Sequence, residues 1–61
     1  MSYYWVLFRR RGRRQWERDE SLFWERASAE EYARLCVPAL WRDAQIIHHS
    51  ATNTVVATIS D

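Results

Sequence analysis

This chain has one cysteine, one glycine, one proline and no lysine. Cys36 is the single cysteine, which excludes an internal disulfide framework and leaves no second thiol for a zinc knuckle. We therefore expect a reducing, cytoplasmic location and neither a metal site nor a cofactor. The longest apolar run, Tyr3 to Phe8, has six residues. Because roughly 20 are needed to span a bilayer, we expect no membrane segment and no secretion signal.

The length of 61 residues allows a single domain, over 1–61, and a chain this short buries only about 60% of its unfolded surface. Apolar residues make up 48% and charged residues 28%, which is typical of a globular protein. Without a disulfide, such a chain needs dense aromatic packing or a partner, including a second copy of itself. Its four tryptophans, three tyrosines and two phenylalanines suit either route.

Residues 3–9 are rich in β-forming side chains and precede a polar cluster, which predicts a strand entering a turn. In an extended chain, alternate side chains from Tyr3 to Leu7 face one way, and those from Tyr4 to Phe8 face the other. Both faces are apolar. The strand is therefore either central with both faces covered, or it leaves one aromatic face for a partner.

Gly12 lies among five arginines and predicts the tip of a hairpin. The returning strand is less clearly marked. We favour Leu22 to Ala27 as the strand that pairs with the first, with Arg9 to Glu20 forming a long charged arm. A strand broken by a bulge near Asp19 is the alternative.

The clearest local signal is a capping box, with Ser28 at the N-cap and Glu31 three residues on. An apolar stripe at helical spacing follows it, and Pro38 is expected to end the helix after about nine residues. A short turn beyond it is expected to bury Leu40 and Trp41. The stripe consists of Ala29, Tyr32, Ala33 and Cys36.

Two β-branched segments, Gln45 to Ser50 and Thr54 to Ser60, read as a closing hairpin with Asn53 as its left-handed turn residue. The element order is then β-β-α-β-β. This order predicts an α+β domain in which one helix packs on a face of an antiparallel sheet of about four strands.

Five of the nine arginines crowd the predicted hairpin tip, directly before a tryptophan. Guanidinium groups match phosphate or carboxylate oxygens in pairs and stack on bases and rings. We therefore predict partner binding at the tip, by nucleic acid or by a protein pocket. The alternative is a solvated turn whose charge aids solubility. The candidate binding residues are Arg9, Arg10, Arg11, Arg13, Arg14 and Trp16.

The net charge of +1 conceals a strong polarity along the chain. Residues 9–14 carry five arginines, whereas residues 17–31 hold six carboxylates against two arginines. Glu17 and Asp19 could share a strand face as an acid/base or metal pair, but salt bridges to the arginines or plain solvation are the favoured interpretation. Such polarity favours docking on a partner with a matched charge pattern over nonspecific attraction to nucleic acid.

No catalytic motif is apparent. His48 and His49 are adjacent, so on a strand they point to opposite faces and cannot chelate one ion together. Cys36 falls on the predicted buried stripe, where a thiol is usually inert. We therefore expect a protein that is not an enzyme.

The small size, the arginine-rich hairpin, the β-β-α-β-β order and the helix entry over residues 24–35 resemble the small anti-CRISPR proteins of phages and mobile elements. The resemblance implies a non-enzymatic inhibitor that docks on a CRISPR effector complex and blocks nucleic-acid binding or nuclease recruitment. The arginine tip would then occupy an acidic pocket or approach guide RNA, in the cytoplasm of the host cell.

Two alternatives stay open. One is a small DNA- or RNA-binding module, because the hairpin and helix also resemble the sheet-plus-helix DNA-binding arms of phage integrases. The other is a structural homo-oligomer, in which the first or the fourth strand pairs with a second copy at a sheet edge.

Overall fold

The computed structural model describes residues 2–60 and contains one antiparallel sheet and one helix. The strands lie in the order β2-β1-β3-β4, so β1 and β3 are central. The predicted α+β fold is confirmed. No helix in the described part is long and apolar enough to cross a membrane. In chain order the elements are β1 (Tyr3–Arg9), β2 (Trp16–Phe23), α1 (Arg26–Cys36), β3 (Asp43–His49) and β4 (Asn53–Ser60).

The core lies between α1 and one face of the sheet. Val6 and Phe8 of β1 point into it and are buried, and Ala44 and Ile46 of β3 lie opposite them in the strand register. The rings of Tyr32 and Trp41 close this layer around Phe8, at centroid distances of 5.9 and 5.2 Å. The fully buried core is therefore mainly aliphatic around Phe8, and partly buried rings surround it.

The predicted stripe of α1 is confirmed: Ala29 and Ala33 are fully buried, and Tyr32 and Cys36 pack beside them. The predicted capping box is wrong. The helix begins at Arg26, and its N-cap residue makes no side-chain capping hydrogen bond. Packing of the stripe on the sheet determines where the helix lies, so local capping preference does not set its start.

An ion pair supports this earlier start. Arg26 Nε donates to a carboxylate oxygen of Glu30 at 3.0 Å, and Arg34 reaches the other oxygen at 3.4 Å. Glu30 and Arg34 are four residues apart, the spacing at which opposite charges meet on a helix surface. Glu30 therefore bridges two turns of the helix on its outer side.

Strand β2 pairs with β1 over its whole length, interrupted by a bulge. Leu22 lies opposite Trp5, but the next pair along β1 joins Leu7 to Arg18. The alternative of a bulged strand is thus confirmed, and the favoured strand from Leu22 to Ala27 is wrong beyond Phe23. The polar half of β2 stays in the sheet because its charged side chains reach solvent or internal partners.

The segment after α1 corrects a second expectation. The helix ends at Cys36, ahead of a cis Val37–Pro38 peptide bond. The backbone N–H groups of Leu40 and Trp41 both donate to the Cys36 carbonyl, which forms a tight turn. This turn directs Trp41 onto the core and leaves Leu40 77% exposed, so the predicted burial of Leu40 is wrong.

Of the two predicted turn residues in the hairpins, one is confirmed and one is wrong. Gly12 has a positive φ of 74° at the tip of the first hairpin, as predicted. Asn53, expected to be a left-handed turn residue, is instead the first residue of β4, and no non-glycine residue among 2–60 has a positive φ. The second turn closes through a Ser50 N–H to Thr52 carbonyl bond. The Asn53 side chain contacts His49, and the two residues form the β3–β4 pair next to the turn.

One hydrogen bond joins α1 to β2 and makes stability depend on pH. The Tyr32 hydroxyl donates to Asp19 Oδ1 at 2.9 Å, and this bond, aided by burial, raises the pKa of Tyr32. An unfolded tyrosine ionises near pH 10. The contribution of the bond is therefore complete below about pH 10 and is lost as the pH rises through the higher pKa of the folded state.

We expect Tyr32→Phe to lower the free energy of unfolding at pH 7 by about 1 kcal/mol, the usual worth of a partly exposed hydrogen bond. Its stability should also fall less steeply above about pH 10 than that of the parent. Urea unfolding at pH 7 and at pH 11 measures both effects. An equal alkaline loss in the two proteins would show that this phenol is not the titrating group.

Candidate interaction surface

The sheet face opposite α1 is not covered by any element of residues 2–60. It is formed by alternate side chains of β1, from Tyr3 to Arg9, and of β3, from Asp43 to His49, with their neighbours on the edge strands. We call this surface the open face. The sequence allowed two arrangements of the first strand, with both faces covered or with one aromatic face uncovered. In the structure, β1 is central and its face opposite α1 is uncovered.

A row of three side chains crosses the open face at the hairpin end. Arg9 donates from Nε and Nη2 to the two carboxylate oxygens of Asp43, at 3.1 and 2.5 Å. Its guanidinium carbon also lies 4.3 Å from the ring centroid of Trp16. The bond to Asp43 raises the pKa of Arg9, and Asp43 itself is buried. Arg9 is thus compensated within the sheet.

The middle of the open face combines a cation with apolar side chains. Arg18 is exposed, and its guanidinium carbon lies 4.2 Å from the ring centroid of Trp5. Arg18 forms no ion pair within the described part of the chain. Ile47 and Leu22 are the cross-strand neighbours of Trp5. A free guanidinium therefore lies on a half-buried indole in an otherwise apolar row.

Aromatic rings gather at the far end of the open face. The Tyr3 ring lies 4.7 Å from the imidazole of His49 and meets the Trp24 ring edge to face at 6.4 Å. Trp24 is 70% exposed. This exposed indole is a residue that a binding surface would use and that the sequence interpretation placed in a strand.

The five arginines of the hairpin do not share one environment. Arg10 Nε donates to Glu17 at 2.8 Å and its guanidinium lies over Trp41 at 4.8 Å, and the bond to Glu17 raises the pKa of Arg10. Arg11 donates to the Pro38 carbonyl at 3.0 Å. The salt bridge between Glu17 and the arginine cluster confirms the favoured interpretation of that carboxylate.

Arg13 and Arg14 differ from their neighbours. Both are exposed beside Gly12, and neither forms an ion pair with any residue of the described range. The six predicted binding residues therefore divide into three pairs. Arg9 and Trp16 lie on the open face, Arg10 and Arg11 fold toward the chain after α1, and Arg13 and Arg14 form the tip.

Two polar grooves flank the hairpin, with volumes of about 290 and 340 Å³. Each holds cationic and anionic groups together, so each is suited to polar contacts with a partner surface rather than to enclosing an apolar ligand. Arg11, Arg42, Asp43 and Ser60 line the first, and Arg10, Arg13, Gln15 and Glu17 line the second.

The two histidines and the cysteine, which were considered for catalysis or metal binding, lie in different parts of the structure. His48 stacks on Tyr4 on the helix side of the sheet at 4.7 Å, whereas His49 faces the open side, so the predicted opposition of the two imidazoles is confirmed. Cys36 is half-buried beside the core. Within residues 2–60, no group of three or more histidine, cysteine or acidic side chains could hold a metal ion.

Comparisons with protein-family models, with curated proteins and with solved structures found no match to this chain. What the surface binds must therefore be inferred from its own chemistry.

The pair of Arg9 and Asp43 gives a first test of this surface. We expect Arg9→Gln to lower the urea midpoint more than the double variant Arg9→Gln/Asp43→Asn does, because the single change leaves a buried carboxylate without its cation. Unfolding of the parent, both single variants and the double variant measures the coupling. Strictly additive effects would mean that the two side chains do not stabilise each other.

Proposed function

We propose that this chain is a non-catalytic binding protein that docks on a larger protein or ribonucleoprotein complex through its hairpin tip. The observation that carries the proposal is the isolation of Arg13 and Arg14. Both are exposed on a glycine turn and without ion pairs in the described range, while Arg9 and Arg10 are compensated by carboxylates. Two adjacent free guanidinium groups suit an acidic pocket or a phosphate backbone.

The acidic segment, residues 17–31, offers a partner fewer carboxylates than its composition suggests, because some of them are bound within the chain. Glu17 is bound to Arg10, and Asp19 accepts from Tyr32 and from the Ser21 backbone N–H. The exposed carboxylates that remain for a basic partner surface are those of Glu20, Glu25 and Glu31.

The partner to test first is a CRISPR effector complex, because the size, element order and arginine hairpin resemble the small anti-CRISPR proteins. In this proposal the chain acts in the host cytoplasm as a phage or mobile-element inhibitor. It blocks binding of target nucleic acid or recruitment of the nuclease by occupying the surface involved, which requires no chemistry of its own.

The docking experiment compares two pairs of variants with equal changes of charge. Arg13→Gln/Arg14→Gln removes the two charges of the hairpin tip, and Arg26→Gln/Arg34→Gln removes two charges from exposed arginines of α1. Each is added to purified, guide-loaded effector complexes of several types, and target-DNA binding is measured by gel shift. We expect the parent and the helix variant to inhibit DNA binding at the same concentration, and the tip variant to need at least about tenfold more, since each lost charged contact costs about 1.5–3 kcal/mol.

A tip variant that inhibits as well as the helix variant would remove the tip from the docking surface. An absence of both binding and inhibition by the parent on every complex would exclude effector inhibition as the function. Thermal unfolding of both variants confirms that any loss arises from contact rather than from instability.

A further inference from the structure

We infer that the open face binds a short single strand of nucleic acid, with bases stacked on the rings around Tyr3 and phosphates near Arg18. This inference goes beyond the docking proposal and does not depend on it, because it rests on a different surface.

Stacking is provided at the end of the open face that lies away from the hairpin. Trp24 is 70% exposed and meets Tyr3 in an edge-to-face pair, with an interplanar angle of 85°, so most of the indole surface is open to solvent. Trp5 follows Tyr3 on the same face of β1, about 6.6 Å along the strand. Rings arranged in this way accept any base, because every base presents a π-face.

The open face carries one guanidinium that forms no ion pair within the described range, that of Arg18. Arg18 is exposed, and a guanidinium plane resting on Trp5 is itself a stacking partner for a base. The register places Asp43 on this face, and Arg9 neutralises it. Glu17 lies opposite Phe8 and so belongs to the helix side. Asp19 bonds to Tyr32 on the helix side, so alternation places the exposed Glu20 on the open face beside Arg18. Arg18 therefore contacts a phosphate next to one carboxylate, and stacking supplies most of the binding of a single strand.

Area distinguishes among the candidate occupants. Four strands about 4.8 Å apart and seven residues long give a face of about 450 Å². This is roughly half of the 800 Å² that each partner buries in a stable protein interface, so a second copy or a folded protein would be held weakly by this face alone. A duplex keeps its bases stacked internally and cannot present them to the rings. A few unpaired nucleotides fit both the area and the chemistry.

The test uses ten-nucleotide fluorescein-labelled RNA and DNA of mixed sequence, with a duplex of the same sequence, followed by fluorescence anisotropy at several salt concentrations. Trp24→Ala is paired with Leu40→Ala, which truncates a similarly exposed apolar residue in the turn after α1. Arg18→Gln is paired with Arg34→Gln on α1.

We expect the parent to bind the single strands at least about tenfold more tightly than the duplex. Trp24→Ala should weaken binding about 5- to 100-fold, the range for loss of one stacked base. Arg18→Gln should reduce the slope of log affinity against log salt by about 0.7, which corresponds to one phosphate contact on a single strand. Both control variants should bind as the parent does.

Three results would overturn the inference: no single-strand binding at 50 mM salt, equal binding of duplex and single strand, or Trp24→Ala binding as well as Leu40→Ala. A dimer detected by light scattering and abolished by Trp24→Ala would assign the open face to a second copy instead. None of these results bears on docking by the tip, which is measured with the Arg13 and Arg14 variants.

Discussion

The one-sided packing of α1 on the sheet is the constraint on which the rest of the structure depends. Ala29 and Ala33 are fully buried and have no bulk, so the helix lies close over the central strands. Residues 2–60 form one helix, of 11 residues, which covers a single face of the sheet. The opposite face must then shield its rings by other means. Arg9 over Trp16 and Arg18 over Trp5 provide that shielding, since a guanidinium covers an indole while keeping contact with water.

The same constraint explains where the free charge lies. Two arginines are paired with carboxylates across the sheet and the hairpin, Arg9 with Asp43 and Arg10 with Glu17. The arginines without an ion pair in the described range include the two at the tip and Arg18 on the open face. The net charge of +1 therefore conceals a cationic hairpin tip at Arg13 and Arg14 and exposed carboxylates at Glu20, Glu25 and Glu31.

Much of the fold could be predicted from local pattern, because alternation and helical spacing report which side chains are buried. The bounds of β1, the stripe of α1 and the glycine tip follow from such patterns. The errors have two causes. The start of α1 is set by packing of the helix on the sheet, whereas the exposure of Leu40 and the extended Asn53 are set by the hydrogen bonds of tight turns that residue preferences did not reveal. The candidate site shows the same division. Its arginines could be named from sequence, but the pairing of Arg18 with Trp5 depends on a bulged register that no local pattern reveals.

We propose that the open face, and not the helix side, is a contact surface of the molecule. The most direct test of this proposal is the set of indole N–H signals of the four tryptophans in a ¹H–¹⁵N NMR titration with a single-stranded oligonucleotide. Trp41, packed on Phe8 on the helix side, is an internal control. We predict that the signals of Trp24 and Trp5 shift with saturation while that of Trp41 stays in place. Unchanged signals at Trp24 and Trp5, or an equal shift at Trp41, would contradict this account.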